Sequence, residues 1–436
     1  MGTRPPAEVF TLAGREVKLT NPEKIFFPKL GLTKRDLFQY YLAVADGALR
    51  GIRERPMLLK RFPNGVDQDP FFQKRAPKPR PDWLDTAIVS FPSGRTADHL
   101  VVRDEAGLAW VINLGCVDLN PHPTRADDVD HPDELRVDLD PQPGIGWKQI
   151  VDVAEVARQV LLDFGLVPWA KTSGSRGMHV YARIERRWTF PEVRKAAVTI
   201  AREVERRAPT IATAKWWKEE RHGVFLDYNQ NAKDRTVASA YSVRPTPDAR
   251  VSFPLDWSDV PTCEPADFTI ATVPALFAKR GDAHRHIDDT PGSLDAIFEL
   301  AKRHETDGIG GEAPYPPMFA KAEGEPPRVQ PSRAKRGPVT SSSPTGRRVS
   351  SMPLLVIARA EKKEDALEGL ERWKQKYPVA AEKLAIDDVL VDGMRGRFRL
   401  WWRIRVNLRH VPEDERPPVE PPDPDYDPMV QFIPQG

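Results

Sequence analysis

Apolar residues recur along the first 300 positions at two spacings. In KQIVDVAEVARQVLLDFG (148–165) they fall three and four apart, which predicts a helix, and Gly165 stands where a helix C-cap belongs. FPEVRKAAVTIAREVERRAP (190–209) repeats the pattern between prolines, and TKRDLFQYYLAVADGAL predicts a helix starting at the N-cap Thr33. Strands fit LRVDLD (135–140), MHVYARI (178–184), GVFLDY (223–228) and VASAYSVR (237–244). Helices and strands interleave, so an all-α or all-β domain is excluded and an α+β fold is expected.

The pattern stops near residue 318. Residues 321–348 hold seven Lys and Arg against two acids, among Pro, Ser and Gly. Residues 1–300 are therefore expected as the folded catalytic unit and 301–350 as a basic Pro/Ser-rich linker. A small α/β module follows at 351–412. It has a helix over 361–376 with Ala366, Leu367, Leu370 and Trp373 on one side, and a strand over 397–409. Residues 413–436 form an acidic, Pro-rich tail expected to be disordered. There is no internal repeat.

The chain has 436 residues, too many for one core. Lys plus Arg number 65 and Asp plus Glu 63, so any anion site must come from local clustering. The two cysteines, Cys116 and Cys263, stand in no CxxC pair, which argues against a cysteine zinc site and fits a reducing compartment. No apolar run approaches ~20 residues, and the N-terminus lacks a signal-peptide h-region. No membrane partner is expected.

The end of one strand raises a chemical question. In LRVDLD, Leu135, Val137 and Leu139 point to one face, and Asp138 and Asp140 to the other. Two carboxylates that close repel unless one is protonated or a cation lies between them. Hard oxygen ligands suit Mg²⁺ or Mn²⁺. GVFLDYNQN places Asp227 at the end of another apolar run, a candidate third ligand. Three carboxylates on adjacent strands can hold two ions, as phosphoryl transfer requires. TSGSRGMHVYARI (172–184) runs from a turn into a strand. Gly174 and Gly177 allow close approach to an anion, Ser173 and Ser175 donate, Arg176 neutralises charge, and His179 opens the strand.

These stretches, with LDYNQN (226–231) and YSVR (241–244), resemble the polymerase domain of bacterial ligase D proteins, in the archaeo-eukaryotic primase superfamily. LTNPEKIFFPKLGLTKRDLFQYY (19–41), RPMLLKRFPNGVDQDPFFQKRAP (55–77) and LAWVINLGCVDLNPHP (108–123) are similar to it as well. The resemblance covers about residues 8–290. It implies a primase-polymerase core with an RRM-like mixed or antiparallel catalytic sheet flanked by helices. It implies nucleotidyl transfer of NTPs or dNTPs onto a DNA 3′ end, with two divalent ions, Mn²⁺ or Mg²⁺. Asp138, Asp140 and Asp227 would be catalytic metal ligands. Ser173, Arg176 and His179 would hold the triphosphate, with Lys60, Arg221 and Arg244 nearby and Gln230 close to the nucleotide. Asn21 and Lys24 would take a 5′-phosphate across a gap, and Phe71 and Phe72 would stack on the template. Asn120 stands where the family often has a histidine, with His122 two residues on, and Arg176 where a lysine is common.

No KxDG-type ligase motif is found, which leads to the expectation of a stand-alone, actinobacterial-type polymerase. Its partners would be gapped or nicked DNA with a 5′-phosphate and a separate ATP-dependent ligase or end-binding protein, in the cytoplasm at the nucleoid. KRFPNGVDQDPFFQKRAPKPR (60–80) supports DNA contact with six Lys and Arg among three Phe. In RFRLWWRIRVNLR, the residues Arg397, Arg399, Trp401, Arg403, Arg405 and Arg409 form a cationic stripe, either a second DNA surface or a solvated sheet face. A metal-dependent nuclease, which needs no triphosphate loop, and a non-catalytic DNA-end-binding module that recruits a ligase remain as alternatives.

Overall fold

The structure, a computed structural model, describes residues 7–91, 93–311, 313–316, 319, 353–395 and 400–426. The chain divides into two compact units, Met1–Pro331 and Ser332–Gly436.

The first unit is built on a six-stranded sheet. Its order is Ala212–Thr213, Val224–Leu226, Glu134–Pro141, Met178–Arg183, Trp169–Thr172 and Pro254–Leu255. The pairings are antiparallel except between the first two strands. The central four strands, with the helices Trp147–Asp163 and Phe190–Arg207 between them, follow a βαββαβ course in spatial order 4-1-3-2, the split βαβ pattern. Both helices pack on the face that carries Leu135, Val137, Leu139, Val180 and Ala182, all buried. The helix termini follow the sequence: at the N-cap Thr189 donates its N–H and hydroxyl to the Glu192 carboxylate, and Gly165 is left-handed at φ +76°. A second sheet carries Phe71–Gln73, Pro56–Arg61, Thr96–Val101 and Asp85–Ser90, with Asn120–Pro121 also paired to Pro56–Arg61.

Four expectations are corrected. The helix from Thr33 breaks at Val44 into Lys34–Ala43 and Ala45–Ile52. Residues 237–244 form no strand: Tyr241 has φ +62°, and backbone bonds run from Ser239 to Leu119 and between Tyr241 and Ser252. The segment is a strap across the sheet's second face, and its carbonyls serve buried side chains there. The regular strand before Asp227 ends at Leu226, because Asp227 caps a 3₁₀ turn, Tyr228–Asn231, by accepting from the Asn229 N–H at 3.0 Å. Folded structure also continues past residue 300. The helix Asp295–Thr306 packs on Phe190–Arg207, and Arg194 donates to the carbonyls of Ala313 and Pro314.

The second unit holds a sheet ordered Leu354–Ala360, Leu400–Asn407, Val389–Arg395, covered on one face by the helix Lys363–Lys376. The two outer strands were not expected. Ala366, Leu370 and Trp373 are buried, but Leu367 is exposed. Arg397 and Arg399 lie outside the described residues. Arg403 and Arg405 both donate to Asp392 on the neighbouring strand, and Arg409 pairs with Asp387 and Asp388. The described part of the stripe is thus neutralised within its own module. The segment after Pro412 is ordered to residue 426: Glu415, Glu420 and Asp423 pair with Lys383, Lys376 and Arg372. No helix among the described residues is long and apolar enough to cross a membrane.

Beneath the first unit's central sheet lies a buried ionic knot. Arg55 is 0% exposed and grips Asp133 through two bonds of 2.6 and 2.9 Å. Arg125 adds a third at 2.7 Å. Burial opposes the Asp133 charge, but Arg55, Arg183 and Arg125 overcome it and hold the carboxyl well below its usual range. Asp133→Ala removes both short bonds of Arg55, leaving it the His122 carbonyl at 3.4 Å and the Glu134 carboxylate at 4.0 Å, and is expected to cost about 3–5 kcal/mol, read by urea denaturation. Replacing both residues by apolar ones of similar volume should recover most of that loss.

Candidate active site

Alternation along Glu134–Pro141 puts Glu134, Arg136, Asp138 and Asp140 on the sheet's second face. Asp138 lies opposite His179, and Asp140 opposite Phe225 on the strand that leads to Asp227. The Asp227 N–H donates to the Asp138 carbonyl at 2.9 Å, fixing the two segments together. Asp138, Asp140 and Asp227 each offer an oxygen within 4.8 Å of the others, the metal-capable cluster found among the described residues.

Their electrostatics are opposite to those of the knot nearby. Asp138 is only 8% exposed, and burial raises its pKa to about 6. Burial, then repulsion from Asp138 and Asp227, raises Asp140 to about 7. Burial and Asp138 raise Asp227 to about 6, although the Asn229 N–H and the Gln230 side chain (2.9 Å) bond to it. Three oxygen donors in mutual repulsion with an exposed side at Asp140 fit hard divalent cations, which would relieve that repulsion. Near the other end of the same strand, Glu134 has Arg136 and Arg183 and is held down to about 2 despite burial.

A cavity of about 420 Å³ opens over the aspartates. It is lined by Asp138, Asp140, Ser173, Arg176, His179, Gln230, Lys60, Arg244 and Phe72, so most expected site residues meet at one place. The Ser173 Oγ accepts from the Ser175 and Gly177 N–H groups, both at 3.1 Å. With its lone pairs occupied, its hydroxyl proton is left to donate. Gly177 is required by contact: a Cβ there would stand 2.2 Å from the Leu139 carbonyl oxygen. Gly174 is left-handed at φ +67°. Arg176 is exposed at the loop's tip. His179 turns Nε2 toward Asp138 Oδ1 at 3.2 Å.

Other expected residues are placed differently. Arg221 does not line the cavity; it lies over the Phe225 ring at 3.5 Å and donates to the Lys215 and Trp216 carbonyls. Phe71 and Phe72 are 54% and 58% exposed on the Phe71–Gln73 strand, opposite Arg61 and Lys60. Asn21, at φ +50°, and Lys24 belong to an N-terminal turn outside the cavity lining.

Three residues escaped the sequence reading. Buried Asp118 bonds to Lys60 at 3.1 Å and stands 4.0 Å from Arg244. Lys34 is buried and donates to Thr20 and Asn113, both at 2.8 Å. Burial, Lys24 and Arg61 together push it down to about 8. Lys24, Lys34 and Arg61 thus concentrate positive charge at the turn that carries Asn21. Lys171, fully buried, contacts His179. The only sequence signal for it is its alternation with Trp169 in WAKT.

This geometry agrees with comparisons against known proteins. The family described as LigD, primase-polymerase domain, matches residues 33–284. The multifunctional non-homologous end joining DNA repair protein LigD of Mycobacterium tuberculosis is 32% identical over 295 residues, 64% of this chain and 38% of that protein. The bifunctional non-homologous end joining protein LigD of Bacillus subtilis is 30% identical over 295 residues, 66% of this chain and 47% of its own length. The chain therefore spans less than half of these relatives. The polymerase domain of M. tuberculosis ligase D, solved in complex with DNA, superposes with a TM-score of 0.60 at 32% identity, covering 63% of this chain and 99% of that one. With its six-stranded sheet, aspartate cluster and glycine-lined loop, the chain belongs to the LigD primase-polymerase domain family.

Proposed function

We propose that the protein is a DNA-directed nucleotidyltransferase that adds NTPs or dNTPs to a DNA 3′ end, filling short gaps during end joining. The observation that carries this reading is the cluster of Asp138, Asp140 and Asp227, two of which, Asp138 and Asp140, line one cavity together with Ser173, Ser175, Arg176 and Gly177. A nuclease needs the carboxylates but not the loop. The relatives' role in non-homologous end joining supports the repair context.

Asp138, Asp140 and Asp227 would hold two divalent ions, Mn²⁺ or Mg²⁺, which would supply charge to acidify the primer hydroxyl and to neutralise the departing pyrophosphate. The Ser173 hydroxyl and Arg176 bind the triphosphate, and Lys60 and Arg244, which line the same cavity, add positive charge. His179, which the resemblance places on the triphosphate, has its Nε2 turned to Asp138 at 3.2 Å and steadies that carboxylate instead. The primer 3′-hydroxyl attacks the α-phosphate in line, and the loop keeps the leaving group in place. Phe71 and Phe72 offer faces for template bases. Asn21, Lys24 and Lys34 take the 5′-phosphate across the gap, and a ligase seals the product.

The central test is extension of a primer facing a short gap with a 5′-phosphate, comparing NTP with dNTP and Mn²⁺ with Mg²⁺. The wild type should extend it, and Asp138→Ala with Asp140→Ala should fall to background; shortening of the primer would mark a nuclease instead. Replacing Phe71 or Phe72 by Ala should weaken gapped-DNA binding by roughly 1–3 kcal/mol per lost stack in a fluorescence titration.

The carboxylate pKa values give a pH prediction. Asp138, Asp140 and Asp227 must lose protons to bind cations, so Mn²⁺ affinity should climb from pH 5 to 8. Without metal, the folded protein keeps these protons at pH values where an unfolded carboxyl, at about 3.9, has lost them. Its stability therefore falls as pH rises from about 4 to 7. Asp140→Asn should raise the Tm of the metal-free protein above pH 7, with a gain that shrinks toward pH 4, while extension is lost.

A further inference from the structure

Lys171 is fully buried on the strand next to His179, and its amine has three neighbours. The Ala238 carbonyl lies at 2.9 Å, Ser252 Oγ at 2.7 Å and His179 Nδ1 at 2.8 Å. A carbonyl can only accept. Ser252 gives its own proton to the Thr172 carbonyl at 2.8 Å, so it too accepts from Lys171. Two N–H bonds are thereby committed, and the third contact decides the histidine's state.

Either the ammonium gives its third proton to Nδ1, or a neutral amine accepts from Nδ1–H. With Asp138 ionised, as cation binding requires, the second arrangement with a neutral ring leaves a bare Nε2 lone pair 3.2 Å from its carboxylate in an enclosed site. With a charged ring it places the shared proton on the imidazole rather than on the intrinsically more basic amine, in a site where burial lowers the pKa of both groups. The first arrangement satisfies every atom: three donors meet three acceptors, and Nε2–H meets Asp138 Oδ1. The Tyr181 hydroxyl, at 3.4 Å from Nδ1, is too distant to compete.

We propose that Lys171 is a positioning residue: its hydrogen bond to Nδ1 holds His179 as the Nε2–H tautomer, which donates to Asp138 and fixes that carboxylate's orientation for cation binding. The inference rests on the reading of Asp138 as a metal ligand and extends it. Lys171 touches neither substrate nor cation and acts through His179. The strap at residues 237–244 completes the device, because the Ala238 carbonyl anchors the amine from the opposite side.

The test is a long-range ¹H–¹⁵N correlation spectrum of the full chain labelled with [¹⁵N]histidine, with His179→Gln assigning the signals. Wild-type protein should show His179 protonated on Nε2 and bare at Nδ1. Lys171→Met should convert His179 to a tautomer mixture and lower Mn²⁺ affinity by about 10–100-fold, with kcat falling more than nucleotide KM rises. An Nδ1–H tautomer in the wild type overturns the proposal, as does an unchanged His179 signal in folded Lys171→Met. If Lys171→Met does not fold, the wild-type tautomer alone decides. Failure of the metal-ligand reading shows separately, as undiminished Mn²⁺ affinity in Asp138→Ala.

Discussion

The constraint on which this structure depends is charge compensation across the second face of the central sheet. One face of each central strand is apolar and covered by helices. The other carries Glu134, Arg136, Asp138 and Asp140, facing His179, Tyr181 and Arg183. Buried charges are costly unless paired. At the Glu134 end the pairing is complete, with Arg136 and Arg183 on the strand's own face and Arg55 holding Asp133. At the Asp140 end a third acid joins two others instead of a base. The acids there are compensated by no base of their own cluster, an arrangement that suits a divalent cation.

Much of this was legible in the sequence because alternation is a local property. The E-L-R-V-D-L-D run gives both faces of its strand at once, and the turn residues around Ser173 announce a loop before MHVYAR. The helices at 147–163 and 190–207 follow from spacing and caps. What escaped depends on partners far along the chain. Lys171 has meaning only once Ala238 and Ser252 are brought to it, and VASAYSVR alternates like a strand but is bent into a strap by Tyr241. The arginines of Leu400–Asn407 looked free because Asp392, which neutralises two of them, sits on a strand that the sequence reading missed.

The glycine-lined loop and the carboxylate strand are not independent parts. Gly177 packs so closely against the Leu139 carbonyl that no side chain fits between them, and Leu139 lies between the two aspartates. Ser173 braces the same turn from within. The Ser173–Gly177 loop and the acids are therefore referenced to one stretch of backbone. Such preorganisation matters for in-line transfer, where small misplacements of the reacting groups are expensive.

Asp118 has a consequence of its own. It is a fixed carboxylate seated between Lys60 and Arg244, two cations on the cavity wall. Any phosphate that reaches them competes with an anion that is part of the protein and pays no entropy of association. A ligand bearing a single phosphate gains little from that exchange, whereas a longer polyanion that also reaches Ser173 and Arg176 gains at more than one point. An internal rival of this kind sets a threshold that a longer polyanion passes more readily than a single phosphate.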